Sequence, residues 1–243
     1  MQAVEAGLRN GEFFIEYQPI VELDTGRCVG GEALSRWRKS SGVAHPAEFM
    51  PVIEATYLSG YFTHWALETV AKEFLGWLKG HDAFISLNVP PEIIGRGGLL
   101  YVVEKTGLLE VKHRIVIEIT ERGVPDRLGV ETLNFAAGVG IRFALDDVGT
   151  DANVIVLSRC KIEMIKIDRG LVAQMRPGEP LTGTLASIAS LARSHKLSVV
   201  AEGVESADQA YVLKHAGIPL AQGFYFSHSL PADAFKAYFI SHA

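Results

Sequence analysis

Five carboxylates (Glu32, Glu118, Asp146, Asp147 and Glu202), one lysine (Lys166) and two amides (Asn88 and Gln222) carry the chemistry this sequence offers. They are spread through the chain, and nearly every one closes a short run of β-branched or apolar residues. Carboxylates gathered on one cavity cannot all stay ionised unaided; either some take up protons or divalent cations neutralise them. The donors are all oxygen, which favours Mg²⁺ or Mn²⁺ over zinc. None of the eight histidines shows the spacing of a zinc-binding helix. Asp146 and Asp147 are adjacent, and adjacent side chains in a strand point to opposite faces. Both reach one site only where the strand is ending, and Gly149 permits that turn. One carboxylate of such a pair can bridge two cations while the next holds the second. Two cations roughly 3.5–4 Å apart are the usual device for activating water against a phosphodiester. Taken singly, each residue has a plainer use. Lys166 reads as a snorkelling barrel lysine, Asn88 as a helix cap before Pro90-Pro91, and Asp146-Asp147 as part of a turn. The joint pattern favours a site.

The elements that must position these groups alternate. Candidate strands are Phe13–Tyr17, Cys28–Leu34, Phe84–Asn88, Ile115–Ile119, Arg142–Asp146, Met164–Ile167, Ser198–Ala201 and Leu220–Gln222. Between them run segments of helical period. Phe62, Trp65/Ala66, Val70, Phe74 and Leu78 form one stripe within Tyr61–Lys79, and Leu185, Ile188, Leu191 and Ala192 another within Leu181–Lys196. Gly107, Gly140 and Gly217 are plausible helix stops. With 243 residues the chain is close to the about 250 of a (β/α)₈ barrel. A doubly wound open sheet is the alternative. The polar strand ends favour the barrel, because barrel strands converge their C-terminal ends on one face, where an open sheet strings them along an edge.

Composition narrows the classes further. Hydrophobic residues at 48% and charged residues at 21% belong to a soluble globular chain, and the net charge of −5 argues against a duplex nucleic-acid binder. Cys28 and Cys160 are too few for a disulfide framework and read as buried thiols of a reducing compartment. No apolar run approaches the roughly 18–20 residues of a membrane span, and the first residues have no signal-peptide pattern. The expectation is an intracellular segment without membrane contact.

Longer motifs identify a resemblance. Gly31-Glu32-Ala33-Leu34-Ser35-Arg36-Trp37 resembles the signature of the EAL domain, the bacterial cyclic-di-GMP phosphodiesterase family. Tyr17-Gln18-Pro19-Ile20, Pro46-Ala47-Glu48-Phe49-Met50-Pro51, Asn88 in a Leu-Asn-Val context and Glu118-Ile119-Thr120-Glu121 follow in order. So do Asp146-Asp147-Val148-Gly149-Thr150, Lys166-Ile167-Asp168, Ala201-Glu202-Gly203-Val204-Glu205 and Gln222-Gly223-Phe224.

The resemblance implies a single domain over 1–243. Its fold is an α/β, modified (β/α)₈ TIM-type barrel with one antiparallel strand. It implies metal-dependent hydrolysis of cyclic di-GMP to linear pGpG, with two Mg²⁺ or Mn²⁺ per site. By position, Glu32, Asn88, Glu118 and Asp146 resemble ligands of the first metal, and Asp146, Asp147 and Glu202 those of the second. Glu202 resembles the general base, and Lys166 the lysine at the attacking water. Gln18, Leu34, Arg36, Asp168 and Gln222 resemble substrate contacts, with Arg36 on phosphate and Gln18 on guanine. Glu121 and Glu205 resemble residues that anchor or support the loops. The family also implies a homodimer in the cytoplasm, or a cytoplasmic domain of a larger bacterial protein with a sensor or membrane region.

One segment departs from the family pattern. Asp-Asp-Phe-Gly-Thr-Gly-Tyr-Ser-Ser in the family stands here as Asp146 to Val154, with Val148 for Phe and Asp151 for the second Gly. Replacing a Gly of positive φ costs about 1 kcal/mol or more, and a smaller residue than Phe packs less well. This motivates a second expectation, a catalytically weak or inactive EAL domain serving as a cyclic-di-GMP receptor or protein-interaction module. A metal-dependent lyase with Lys166 as base is a third, but no second basic residue stands at a neighbouring strand end.

Overall fold

The computed structural model describes residues 1–54, 56–95, 98–120, 127–149, 154–176 and 183–243. Its strands are β1 (Phe13–Glu22), β2 (Cys28–Lys39), β3 (Gly42–Ala44), β4 (Phe84–Asn88) and β5 (Ile115–Thr120), followed by β6 (Arg142–Val148), β7 (Met164–Ile167), β8 (Ser198–Ala201) and β9 (Leu220–Ala221). The described helices are α1 (Gln2–Arg9), α2 (Pro46–Ile53), α3 (Leu58–Leu78), α4 (Pro91–Gly95), α5 (Gly98–Lys105) and α6 (Arg127–Val139). After these come α7 (Val154–Arg159), α8 (Arg169–Ala173), α9 (Gly183–His195), α10 (Ala207–His215) and α11 (Ala232–Ser241). No described helix is long and apolar enough to cross a membrane.

The sheet runs β1-β9-β8-β7-β6-β5-β4-β2-β3, and β1 also pairs with β2, so eight strands close into a barrel and β3 is an added strand on β2. That closure excludes the open sheet. β1 is antiparallel to both of its neighbours, and the pairs from β2–β4 round to β8–β9 are parallel. The single antiparallel barrel strand is therefore the first one.

The eight expected strands are all present; β1, β2, β5 and β6 run longer than expected, and β9 stops one residue short, at Ala221. β1 continues through Pro19 to Glu22, because its antiparallel pairing with β2 extends to Val21↔Cys28. β2 continues past Leu34 to Lys39, where it pairs with β3. Its far end supports a separate aromatic cluster of Phe13, Trp37, Phe49 and Phe62 with Val4, Ala44, Ile53 and Leu58. Phe62, Ala66, Val70, Phe74 and Leu78 are the buried stripe of α3, as their spacing requires, while Trp65 is half-buried. Both cysteines are free and buried. α6 stops at Val139, and Gly140 takes φ 105°, a conformation an L side chain resists.

Period-two alternation divides the strands into two faces. Ile85, Leu87, Ile117, Ile119, Phe143, Leu145, Ile165 and Val199 face outward and join the large core beneath the helices. The opposite residues Ile20, Phe84, Val116, Ala144, Met164 and Val200 form a separate apolar cluster inside the barrel. The inward residue two positions further along is Glu118 on β5, Asp146 on β6, Lys166 on β7 and, just past β8, Glu202. The barrel interior thus changes from apolar to ionic within one repeat of the strand.

Candidate active site

Lys166 is the centre of that ionic layer. Its side chain is 1% exposed, and its Nζ lies 2.6 Å from Glu202 Oε1, 2.9 Å from Glu118 Oε2, 3.2 Å from Glu32 Oε2 and 3.4 Å from Asp146 Oδ1. Four strands bring four carboxylates onto one ammonium. The carboxylates outnumber their counter-charge, and burial removes the water that would otherwise screen them. Burial therefore pushes the Glu118 carboxyl well up, with Lys166 pulling it down and Glu32 and Asp146 pushing it further up. Asp146 is raised for the same reasons. Glu202 is pushed up to about 8, by burial first, against the pull of Lys166. Lys166 is held well above its ordinary value, because the four carboxylates outweigh its own desolvation.

The amides complete the ring. Asn88, at the end of β4, donates from Nδ2 to Glu118 Oε2 at 2.9 Å and to Glu32 Oε1 at 3.3 Å. Gln222 donates from Nε2 to Glu32 Oε2 at 2.5 Å and to Glu202 Oε1 at 3.3 Å. Gln222 is brought there by Gly223, where a Cβ would stand 2.1 Å from the Val204 carbonyl oxygen. The close approach of the two loops after β8 and β9 requires glycine.

Asp146 and Asp147 converge by a different device from the expected one. β6 does not end at Asp146 but runs to Val148, so Gly149 is not the turn. The β6–β7 register instead shifts between Leu145 and Val148, and Asp147 itself takes φ 55°. Asp is among the residues that best tolerate this left-handed conformation. Carboxylate oxygens of Asp146, Asp147 and Glu202 lie within 4.8 Å of one another. Glu32 also departs from the strand-end expectation, lying mid-strand on β2 because that strand continues past the barrel rim.

The donor set fits hard divalent cations. Among the described residues Glu118 Oε1 and Gln222 Oε1 are buried without a hydrogen-bond partner, and Asp146 Oδ1 has only the Lys166 ammonium at 3.4 Å; a buried oxygen left so is costly. Oxygen-only ligation of this kind suits Mg²⁺ or Mn²⁺. Asn88 presents its amide nitrogen to the carboxylates, and turning the amide over would direct its oxygen to a cation instead.

The remaining expected residues divide. Arg36 is buried and donates from Nε to Glu16 Oε2 at 2.9 Å, from Nη1 to the Ser35 carbonyl at 3.0 Å and from Nη2 to Ser229 Oγ at 2.9 Å. Gln18 lies opposite Glu32 in the β1–β2 register and donates to the Ser227 carbonyl at 3.3 Å. Leu34 is half-buried on the same face of β2. Asp168 is the N-cap of α8, accepting from the Gly170 N–H at 2.9 Å. Glu205 is exposed on the loop before α10. Glu121 and residues 150–153, with most of the altered loop, lie outside the described residues. Val148 is fully buried in the outer core. Sequence reasoning missed Glu16 and Ser229; the alternation of β1 places Glu16 on the face of Gln18, which was the available signal for the first.

Three comparisons with known proteins point to one family. The family description "EAL domain" fits residues 1–229. An uncharacterized protein of Mycobacterium tuberculosis is 34% identical over 95% of this chain and 38% of its own length. The bifunctional diguanylate cyclase/cyclic di-GMP phosphodiesterase MucR of Pseudomonas aeruginosa is 31% identical over 95% of this chain and 35% of its own. Among solved structures, the EAL enzyme Bd1971 in its cAMP- and cyclic-di-GMP-bound form superposes with a TM-score of 0.89 at 26% identity, covering 98% of this chain and 67% of that one. A barrel with a metal-competent acidic mouth is the class defined here, and the chain belongs to the EAL domain family. It spans little more than a third of the length of those curated relatives.

Proposed function

We propose that this chain hydrolyses one phosphodiester bond of cyclic di-GMP, giving linear pGpG, in a reaction that depends on Mg²⁺ or Mn²⁺. The observation that carries the reading is the ring of Glu32, Glu118, Asp146 and the partly buried Glu202 around Lys166, with Glu118 Oε1 and Gln222 Oε1 without a partner among the described residues. Glu32, Asn88, Glu118 and Asp146 would hold one cation, and Asp146, Asp147 and Glu202 a second. Cations bound there supply an acidified water and charge neutralisation at phosphorus. With cations held in place of its proton, Glu202 would take a proton from the attacking water. Lys166 faces the same oxygens and offers a fixed positive charge to the developing phosphoryl charge. The water oxygen bonds to phosphorus, the P–O3′ bond breaks, and the 3′ oxygen leaves as a hydroxyl by taking up the proton that Glu202 removed from the water. Arg36 anchors the phosphate remote from the reacting one, and Gln18 and Leu34 line the same face of β1 and β2.

The same reading expects one domain over 1–243, working as a homodimer in the bacterial cytoplasm; family resemblance supports these three points. Incubation with cyclic di-GMP in Mg²⁺, in Mn²⁺ and in EDTA, with products separated by chromatography, tests it. Metal-dependent pGpG is expected. Intact substrate under every condition overturns the reading and leaves the receptor alternative.

A further inference from the structure

We propose that Glu16 and Ser229 are positioning residues for Arg36, holding its guanidinium ready for a phosphate of the substrate. The inference rests on the function proposed above and names two residues that its chemistry does not include. Arg36 lies four residues beyond Glu32 on one strand face, roughly 13 Å along β2. A second phosphate or a base of an extended dinucleotide falls there, away from the reacting bond. An arginine left free at that place would have to be ordered by each incoming ligand.

It is not left free. Glu16 Oε2 accepts from Arg36 Nε at 2.9 Å and from the Ser229 hydroxyl at 2.7 Å, while Ser229 Oγ accepts from Arg36 Nη2 at 2.9 Å. The hydroxyl is donor to one partner and acceptor from the other, so the three groups close a ring. With the Ser35 carbonyl on Nη1, three of the five guanidinium N–H groups are used. One N–H on Nη1 and one on Nη2 have no partner among the described residues, and that pair matches two oxygens of a phosphate. The Arg36 side chain is 7% exposed and that of Glu16 is 24%, so the ring that fixes the guanidinium is partly withdrawn from solvent.

The ring also unites three parts of the chain at the mouth. Glu16 comes from β1, Arg36 from β2, and Ser229 from the segment after β9. That segment pairs with β1 through Tyr17↔Leu230, the next residue along. Seven residues earlier it carries Gln222, which binds Glu32 and Glu202. A ligand contact at Arg36 and the acidic ring are therefore built on one frame.

The test is a set of KM, kcat and calorimetric Kd values for cyclic di-GMP with Glu16→Ala, Glu16→Gln and Ser229→Ala. Glu16→Ala is expected to weaken binding about tenfold, the scale of a hydrogen bond to a charged group, and the loss falls on KM rather than kcat. Glu16→Gln keeps an acceptor oxygen for Nε and restores most of the affinity. Ser229→Ala loses about threefold. Thermal unfolding by circular dichroism identifies any variant that has lost its fold, and Ser229→Ala, the smallest change, remains informative if Glu16→Ala is unstable. Tighter binding by both Glu16 variants overturns the proposal, since the carboxylate would then be competing with phosphate. Unchanged affinity in folded Glu16→Ala and Ser229→Ala overturns it too. A parent chain that neither binds nor cleaves cyclic di-GMP refutes the proposed function instead.

Discussion

Two layers of the barrel interior are built on the same strands and differ in nearly everything else. The lower layer, Ile20, Phe84, Val116, Ala144, Met164 and Val200, is apolar and closed. The upper layer, one inward repeat along, holds Glu118, Asp146, Lys166 and Glu202 with Glu32 across from them. The upper layer also holds the β6–β7 register shift and lies just past the end of β8. The lower layer is stabilised by removing apolar surface from water. The upper one gathers like charges that repel unless a cation or a proton intervenes. Stability is concentrated below and chemistry above, with the pleat of a strand as the boundary.

The largest expected effect sets one layer against the other. Lys166→Ala removes the ammonium on which four carboxylates converge, and turnover in Mn²⁺ is expected to fall by about 10²–10³-fold or more. The metal-free fold also loses on the order of 3–5 kcal/mol, the scale for breaking a buried ion pair. Met164→Ala, two residues earlier on β7, costs about 2–5 kcal/mol of stability through a cavity and leaves turnover of the folded fraction within a few-fold of the parent. Steady-state rates together with urea unfolding in EDTA separate the two. Equal loss of turnover in both variants would erase the distinction between the layers.

A second expectation concerns pH and belongs to the upper layer alone. Without metal, Glu202 in the folded chain keeps its proton up to about 8, whereas the unfolded chain releases it near 4.5. Between those values unfolding releases a proton, so the stability of the metal-free protein falls as pH rises. The upward shifts of Glu118 and Asp146 act in the same direction. Lys166, held above its ordinary 10.5, contributes stability that persists through this window and is lost only at strongly alkaline pH. Melting curves from pH 5 to 8 in EDTA should therefore show a falling midpoint. Mn²⁺, which replaces the protons, should flatten it. A flat or rising midpoint in EDTA would show that the carboxylates stay ionised without metal.

The smallest effect sharpens the edge of the upper layer. Asp168 caps α8 through the Gly170 N–H, so Asp168→Ala is expected to lose about 1 kcal/mol with KM unchanged. A raised KM at unchanged stability would return this carboxylate to the substrate.

Much of the ionic layer was legible in the chain. A charged residue standing two places after an apolar one in a β-branched run has few uses in a barrel except at its mouth, and Glu118, Asp146 and Lys166 are of that form. The sequence by itself determined the strands, the all-oxygen donor set and the family motifs, because periodicity, residue chemistry and spacing are local properties. Only the tertiary structure decided the rest. Closure of β1 against both β2 and β9 made a barrel of what alternation could also have arranged as an open sheet. A register shift and the left-handed φ at Asp147 turned two adjacent carboxylates to one site, where local reading placed the turn at Gly149. The ring of Glu16, Arg36 and Ser229 joins residues from opposite ends of the sequence. Its members bear no local mark of one another, since hydrogen bonds between distant segments exist only once the barrel has closed.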